Sequence, residues 1–205
     1  TLETQEAIMA LPQQKQVFDA TAYLAWEAEQ PDRNEFMAGE VFAMVGVRQA
    51  HNVATLNLAS HLRSELKGSP CRVFIESVKT RIEAADCFFY PDVVVTCDAR
   101  DRATPEYISH PLLVVEVLSD STAAFDRGNK FAAYRKLESL QEYVLVDLAA
   151  RRIELFRRNA EGHWVLYEYN AGDTIEFASL SLRVPVALVL EDTEEETEKP
   201  GSDPV

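Results

Sequence analysis

The sequence predicts one α/β domain, an α+β sandwich in which helices flank a mixed central β-sheet. Three observations predict it. Residues 89–97 and 111–118 are nearly continuous apolar runs of strand length, the pattern of strands covered on both faces. Residues 49–67 carry Ala54, Leu58, Leu62 and Leu66 at four-residue intervals, which makes one apolar helical stripe. The middle of the chain then reads helix, strand, strand, strand, helix, strand, an order that a layered sheet with helices accommodates. With 205 residues the chain can bury one real core and is marginal for two.

Each element has a local reason. Residues 1–17 are polar and weakly patterned, an N-terminal arm. A short helix is predicted over 21–29, with Asp19 or Thr21 as its N-cap and Pro31 as its stop. Two short strands over 34–45 meet at Ala38-Gly39. The helix over 49–67 ends at Gly68. Residues 72–82 read as one strand, with Val73, Ile75 and Ser77 alternating against Phe74, Glu76 and Val78. A helix follows over 122–137 and a strand over 142–147. Residues 152–158 and 163–170 form a hairpin around Asn159-Ala160-Glu161-Gly162, which extends the sheet. A few short strands lead to Leu190. The domain is therefore expected over 18–190, followed by an acidic tail over 191–205 whose composition predicts disorder.

Composition narrows the function classes. The net charge is −14, of which the tail carries −6. Phosphate backbones are gripped mainly by Lys and Arg, so weak overall affinity for nucleic acid is expected unless positive charge is focused in one place. No apolar run reaches membrane-spanning length, so no membrane partner is expected. No basic-then-apolar leader pattern opens the sequence, so a cytoplasmic location is expected. Cys71, Cys87 and Cys97 form no Cys-x-x-Cys pair and are expected as reduced, partly buried thiols. The seven glycines build no phosphate-binding loop. Neither a Gly-x-Ser-x-Gly elbow nor a His-Glu-x-x-His pair occurs.

What remains is a set of acids on apolar strands. Asp92 opens the run Val93-Val94-Val95, and Glu116 lies in Val114-Val115-Glu116-Val117-Leu118. A carboxylate inside a buried strand is costly unless something pairs it or binds it. If the two strands are antiparallel neighbours, Asp92 faces Glu116, and either a proton or a cation relieves their repulsion. Mg²⁺ takes one or two carboxylates with water and substrate phosphate, and Val117, next along, can offer its backbone carbonyl. Helical spacing places Asp126, Lys130 and Tyr134 on one face, although Asp126 and Lys130 also suit an ordinary i,i+4 ion pair. Lys79 is the competing lysine. His51, at the head of the 49–67 helix, shares the edge of its apolar stripe, where a lone histidine is more often a core residue. Glu40, Glu35 and Glu76 are candidates for a third acid, with Glu40 favoured.

The arrangement resembles the PD-(D/E)xK nuclease superfamily, with Pro91-Asp92 as the first half of the motif. Glu116-Val117-Leu118 is the second half, and Leu118 stands where the lysine belongs. Within it the chain is similar to the Uma2 family, also called DUF820, from Phe18 to Val189. The similarity rests on Glu35-Phe36-Met37-Ala38-Gly39-Glu40, His51, Tyr90-Pro91-Asp92-Val93 and Val115-Glu116-Val117-Leu118-Ser119. It continues through Asp126-Arg127-Gly128-Asn129-Lys130, Tyr134 and Gln141-Glu142-Tyr143-Val144-Leu145-Val146-Asp147.

The resemblance implies a restriction-endonuclease-like core with N- and C-terminal β-hairpin additions. It also implies a site of Asp92, Glu116, Lys130, His51 and Glu40, and Mg²⁺ or Mn²⁺ held by Asp92, Glu116 and Val117. The partner implied is nucleic acid, with DNA the expected substrate, and a homodimer is implied because duplex cleavage needs two sites. Two other readings compete. One is a non-catalytic nuclease-fold interaction module, which Leu118 and the net charge favour. The other is a metal-dependent hydrolase of a small phosphate ester.

Overall fold

The computed structural model describes residues 19–44 and 46–194; the expected arm over 1–17 and the tail beyond 194 lie outside them. Helix α1, Ala20–Glu27, starts where the Asp19 carboxylate accepts a hydrogen bond from the Ala22 amide at 2.8 Å. Strands β1, Asn34–Met37, and β2, Glu40–Ala43, pair through a turn with positive φ at both Ala38 (49°) and Gly39 (94°). That is the twist a two-residue hairpin demands. Helix α2, Gln49–Glu65, follows.

Strands β3, Arg72–Ile75, β4, Lys79–Ile82, β5, Cys87–Phe89, and β6, Val93–Thr96, come next, then β7, Tyr107–Ile108, and β8, Leu113–Val117. A broken helical segment comprises α3, Ala123–Phe125, a π-helical turn, Asp126–Lys130, and α4, Phe131–Tyr134. Strands β9, Glu142–Asp147, β10, Arg152–Arg158, β11, Trp164–Asn170, β12, Thr174–Phe177, and β13, Leu182–Pro185, lead to α5, Val186–Val189.

The central sheet has six strands in the order β11-β10-β9-β8-β6-β3. It is mixed: β8 and β9 are parallel and the other neighbours antiparallel. Parallel neighbours need a crossover, and the helical segment over 123–134 supplies it. Side-chain alternation sorts the two faces. Val93, Val95, Leu113, Val115 and Val117 pack under Ala54, Leu58 and Leu62 of α2. Val94, Val114, Tyr143 and Leu145 pack on the other face with Phe131 and Tyr134. Both faces are thus covered, as the continuous apolar runs require. A second sheet, β2-β1-β5-β4-β7, carries α1 on a small cluster of Tyr23, Phe36, Val41 and Phe88. The expected C-terminal hairpin does extend the central sheet, as β10 and β11. No helix among the described residues is long and apolar enough to cross a membrane.

Three expectations are corrected. Residues 72–82 are two strands in different sheets, and so are 87–96. The chain 72–96 is one antiparallel ribbon bent across both sheets, with Ile75 opposite Val93 on one side of the bend and Thr80 opposite Phe89 on the other. One side advances one residue more than the other, a bulge that sharpens the bend. Alternation over 72–82 survives the bulge, so the sequence hides the break. Second, the helix expected over 122–137 is interrupted by the π-helical turn.

Third, Cys71 and Cys97 are joined in a disulfide. They flank the cross-strand pair Arg72–Thr96, and strand pairing, invisible in sequence spacing, brings their Cα atoms to 3.9 Å. Cys87 stays free and buried, and burial pushes its thiol up to about 11. Alkylation of the unfolded, unreduced protein should therefore label one thiol, and reduction should expose all three cysteines of the chain. Three labelled thiols before reduction would contradict the cross-link.

Candidate metal and lysine site

The site begins at the bend of the ribbon. Glu76, with φ at 42°, turns the chain out of β3, and its amide donates to the carbonyls of Pro91 at 3.2 Å and Asp92 at 3.3 Å. A non-glycine residue in the left-handed region is uncommon and is held here by its surroundings. The two corners are thus locked together, and both corner residues carry carboxylates. Asp92 is fixed further: its Oδ2 accepts the Val117 amide at 2.6 Å. The antiparallel register, Val93 opposite Val115, brings these residues together.

His51, buried in the first turn of α2, places Nε2 3.3 Å from Asp92 Oδ2. Burial would lower its pKa, but the hydrogen bond and charge of Asp92, with Glu76 and a hydrogen bond to the Val117 backbone, outweigh burial and raise it. Ligand atoms from His51, Glu76 and Asp92 all lie within 4.8 Å of one another. Two polar atoms of this cluster, His51 Nδ1 and Glu76 Oε1, are buried without a hydrogen-bond partner among the described residues. Orphaned buried polar groups ask for an explanation, and a cation between the acids is one.

The second half of the site lies on the face under α4. Strand parity turns Glu116 there, toward Lys130, and its buried Oε1 is 3.1 Å from Lys130 Nζ and 3.3 Å from the Tyr134 hydroxyl, which donates to it. The same amine lies 3.0 Å from Glu35 Oε1 and 3.6 Å from Asp126 Oδ1. Glu35 is itself steadied by the Tyr90 amide at 2.9 Å. The π-helical turn is pinned from its other side, where Arg127 reaches Asp147 at 2.9 Å and Glu154 at 3.0 Å.

Burial would deprive Lys130 of its proton, yet Glu116, Glu35, Asp126 and Asp92 hold the amine well above the ordinary lysine range. Burial pushes Glu116 well above the usual carboxylate range; Lys130 opposes this, and Asp126, Asp92 and Glu35 add to it. Five carboxylates, on Glu35, Glu76, Asp92, Glu116 and Asp126, thus surround one lysine and one histidine. The site has more negative charge than its own bases can balance.

Of the residues expected from the sequence, Asp92, Glu116, Lys130, His51 and Val117 are gathered here. Glu40 is not: it is exposed, at the end of the β1–β2 turn opposite Met37. Glu35, five residues earlier, takes the place given to it. Lys79 is not the site lysine either, since it pairs with buried Glu27 at 2.7 Å over the Tyr90 ring. Glu76 was one open candidate among several; the signal in its favour is an acid inside an otherwise apolar strand alternation. The Asp126, Lys130 and Tyr134 spacing did place those side chains around one point.

Comparison with known proteins gives the chain a family and a fold relative. Residues 20–188 match the Uma2 family, described as "Putative restriction endonuclease". The chain belongs to the Uma2 family. Two uncharacterised proteins of Synechocystis sp. are similar to it. One is 38% identical over 82% of this chain and 88% of the relative, and the other 31% identical over 81% and 96%. The crystal structure of a protein from Anabaena variabilis, described as a putative nuclease belonging to DUF820, shares the fold. It superposes with a TM-score of 0.69 at 16% identity, covering 84% of this chain and 97% of that one. The restriction-endonuclease-like fold expected of this Uma2 chain is therefore present.

The crowding of acids around Lys130 makes a stability prediction. Lys130→Ala should destabilise the fold by about 3–5 kcal/mol in urea unfolding near neutral pH, because it leaves buried carboxylates unpaired. A carboxyl whose folded-state pKa is raised favours folding at low pH and loses that contribution as pH rises through the raised value. Without the lysine Glu116 moves further up, so the deficit should shrink as the pH is lowered. A deficit independent of pH would show that the carboxylates are not its cause.

Proposed function

We propose that this Uma2 protein is a divalent-metal-dependent nuclease that hydrolyses phosphodiester bonds of nucleic acid, with DNA as the expected substrate. The observation that carries this reading is the His51, Glu76 and Asp92 cluster beside the Glu116–Lys130 pair. The donor set fits a divalent cation: two carboxylates and an imidazole within reach of one another, two of their polar atoms otherwise unsatisfied. His51, Glu76 and Asp92 would hold it; Glu116, also expected as a ligand, is not part of that cluster and faces Lys130 instead. A nitrogen ligand among oxygens suits Mn²⁺ better than Mg²⁺. When bound, such an ion supplies Lewis-acid polarisation of the phosphate and a more acidic water.

The protein's own groups do the rest. Lys130 stays protonated among its carboxylates and so cannot act as a base. It is a fixed cation beside the place where charge grows on the phosphoryl oxygens, and it costs no reorganisation during reaction. Glu35, Asp126 and Tyr134 hold that amine and Glu116 in register, which makes them positioning residues. Duplex cleavage would need two such sites, which a homodimer supplies.

A second reading has one observation in its favour: three carboxylates already occupy the Lys130 amine, as in a non-catalytic relative that keeps the fold and the ion. Calorimetry with Mn²⁺ and plasmid cleavage in the same buffer separate the two. Wild type should bind and cleave. His51→Ala and Asp92→Ala should each lose more than about a hundredfold in Mn²⁺ affinity, since ligands matter at least as much as the groups that orient them, and should lose cleavage. Lys130→Gln should bind Mn²⁺ but cleave about 10²–10³-fold more slowly, the loss typical of one preorganised charge donor. Binding without cleavage in the wild type would favour the non-catalytic reading, and no binding would overturn the metal site.

A further inference from the structure

We infer that the far end of α2 and the start of β3 form a second binding site, a phosphate-tracking groove for the nucleic-acid strand whose scissile bond lies at the Asp92 site. This inference rests on the nuclease reading above. The groove encloses about 600 Å³, and its walls include Arg63, Lys67 and Arg72 with the hydroxyls of Ser60, Ser64 and Ser69. No acid lines it.

The charge there is free to act. Elsewhere Arg81, Arg100, Arg127, Arg152, Arg157 and Arg183 are each held by a carboxylate. Arg63 and Lys67 are exposed, and neither forms an ion pair among the described residues. Arg72 reaches only the Asp101 carbonyl at 3.0 Å and stacks on the Phe74 ring at 5.1 Å. Nearby Arg102 donates to the Pro70 carbonyl at 3.2 Å. In a chain of net charge −14 this is a local focus of positive charge of the kind phosphate binding needs.

The groove and the site share the same two rails. Helix α2 begins at the site with His51 and ends at the groove; β3 begins in the groove with Arg72 and ends at Ile75, next to Glu76. At 1.5 Å per helical residue, Arg63 lies roughly 18 Å along α2 from His51. At 3.3 Å per strand residue, Arg72 lies roughly 13 Å from Glu76. These spans correspond to about four or five nucleotides at 3.4 Å each. Between them, α2 exposes Asn52, Leu56 and Ser60, a stripe without an acid. Phe74 lines the groove and offers an aromatic ring on which a base can stack. The disulfide at Cys71 fixes the groove wall to β6.

The test is fluorescence anisotropy of labelled single-stranded and duplex DNA in chelator, so that nothing is cleaved. Wild type is compared with Arg63→Glu, Lys67→Glu and a charge-matched control, Arg183→Glu, on the exposed face of β13. The two groove variants should each weaken binding about tenfold, equally for unrelated sequences. Each should also shallow the dependence of log affinity on log salt by about 0.7 for single strands or 0.9 for duplex, while the control binds like wild type. Groove variants that bind like wild type, a control that loses as much as they do, or a wild type that binds neither DNA would overturn the groove. Hydrolysis of bis(p-nitrophenyl) phosphate by wild type with Mn²⁺ tests the catalytic reading separately. Hydrolysis without DNA binding removes the groove alone; groove-dependent binding without hydrolysis removes the catalytic reading alone.

Discussion

The structure depends on one bend. The ribbon of residues 72–96 leaves the six-stranded sheet and enters the five-stranded one at Glu76 and Asp92. The Glu76 amide ties the two corners together through the carbonyls of Pro91 and Asp92. A corner in a sheet normally exposes unpaired backbone groups, which are costly when buried. Here the corner satisfies its own amide, and the Val117 amide is satisfied by the Asp92 side chain. The backbone arrangement that joins the sheets is therefore the arrangement that aims Asp92 and Glu76 toward His51.

The second constraint is charge. A lysine among three carboxylates in a buried pocket has to beat the desolvation of every member, and the close contacts at 3.0, 3.1 and 3.6 Å are how it does so. In the Lys130 pocket Tyr134 also donates to Glu116, and the Tyr90 amide donates to Glu35. The histidine and acids at the bend lack such a base. The two halves of the site thus differ in kind. One is built around a paired lysine, and the other is acid-rich, with unsatisfied atoms that suit an external cation. The basic groove at the far end of α2 would then supply the grip on substrate that the acidic site itself cannot.

Much of this was legible in the sequence. Apolar runs over 89–97 and 111–118 marked the core strands. The four-residue stripe marked α2, and the order Pro91-Asp92, Glu116, Lys130 pointed to residues that the candidate site brings together. Antiparallel pairing of the strands bearing Asp92 and Glu116 was a condition of the argument, and the structure meets it. The losses were tertiary. The break between Ile75 and Lys79 was hidden because a bulge preserves an apolar alternation while changing sheets. The choice of Glu35 over Glu40 depends on which strand end faces the Lys130 pocket, which no local pattern encodes. The Cys71–Cys97 pair depends on strand register. The basic groove was missed because its residues come from α2 and β3 and are diluted by acids elsewhere in the chain.

The most direct test of the central claim, that this bend holds a divalent ion beside a compensated lysine pocket, is anomalous scattering from crystals grown with Mn²⁺. The account predicts one peak within coordination distance of His51, Glu76 and Asp92, with Lys130 still paired to Glu116 and Glu35. A peak that displaces Lys130 from its carboxylates, or none in this cluster at saturating Mn²⁺, would contradict it.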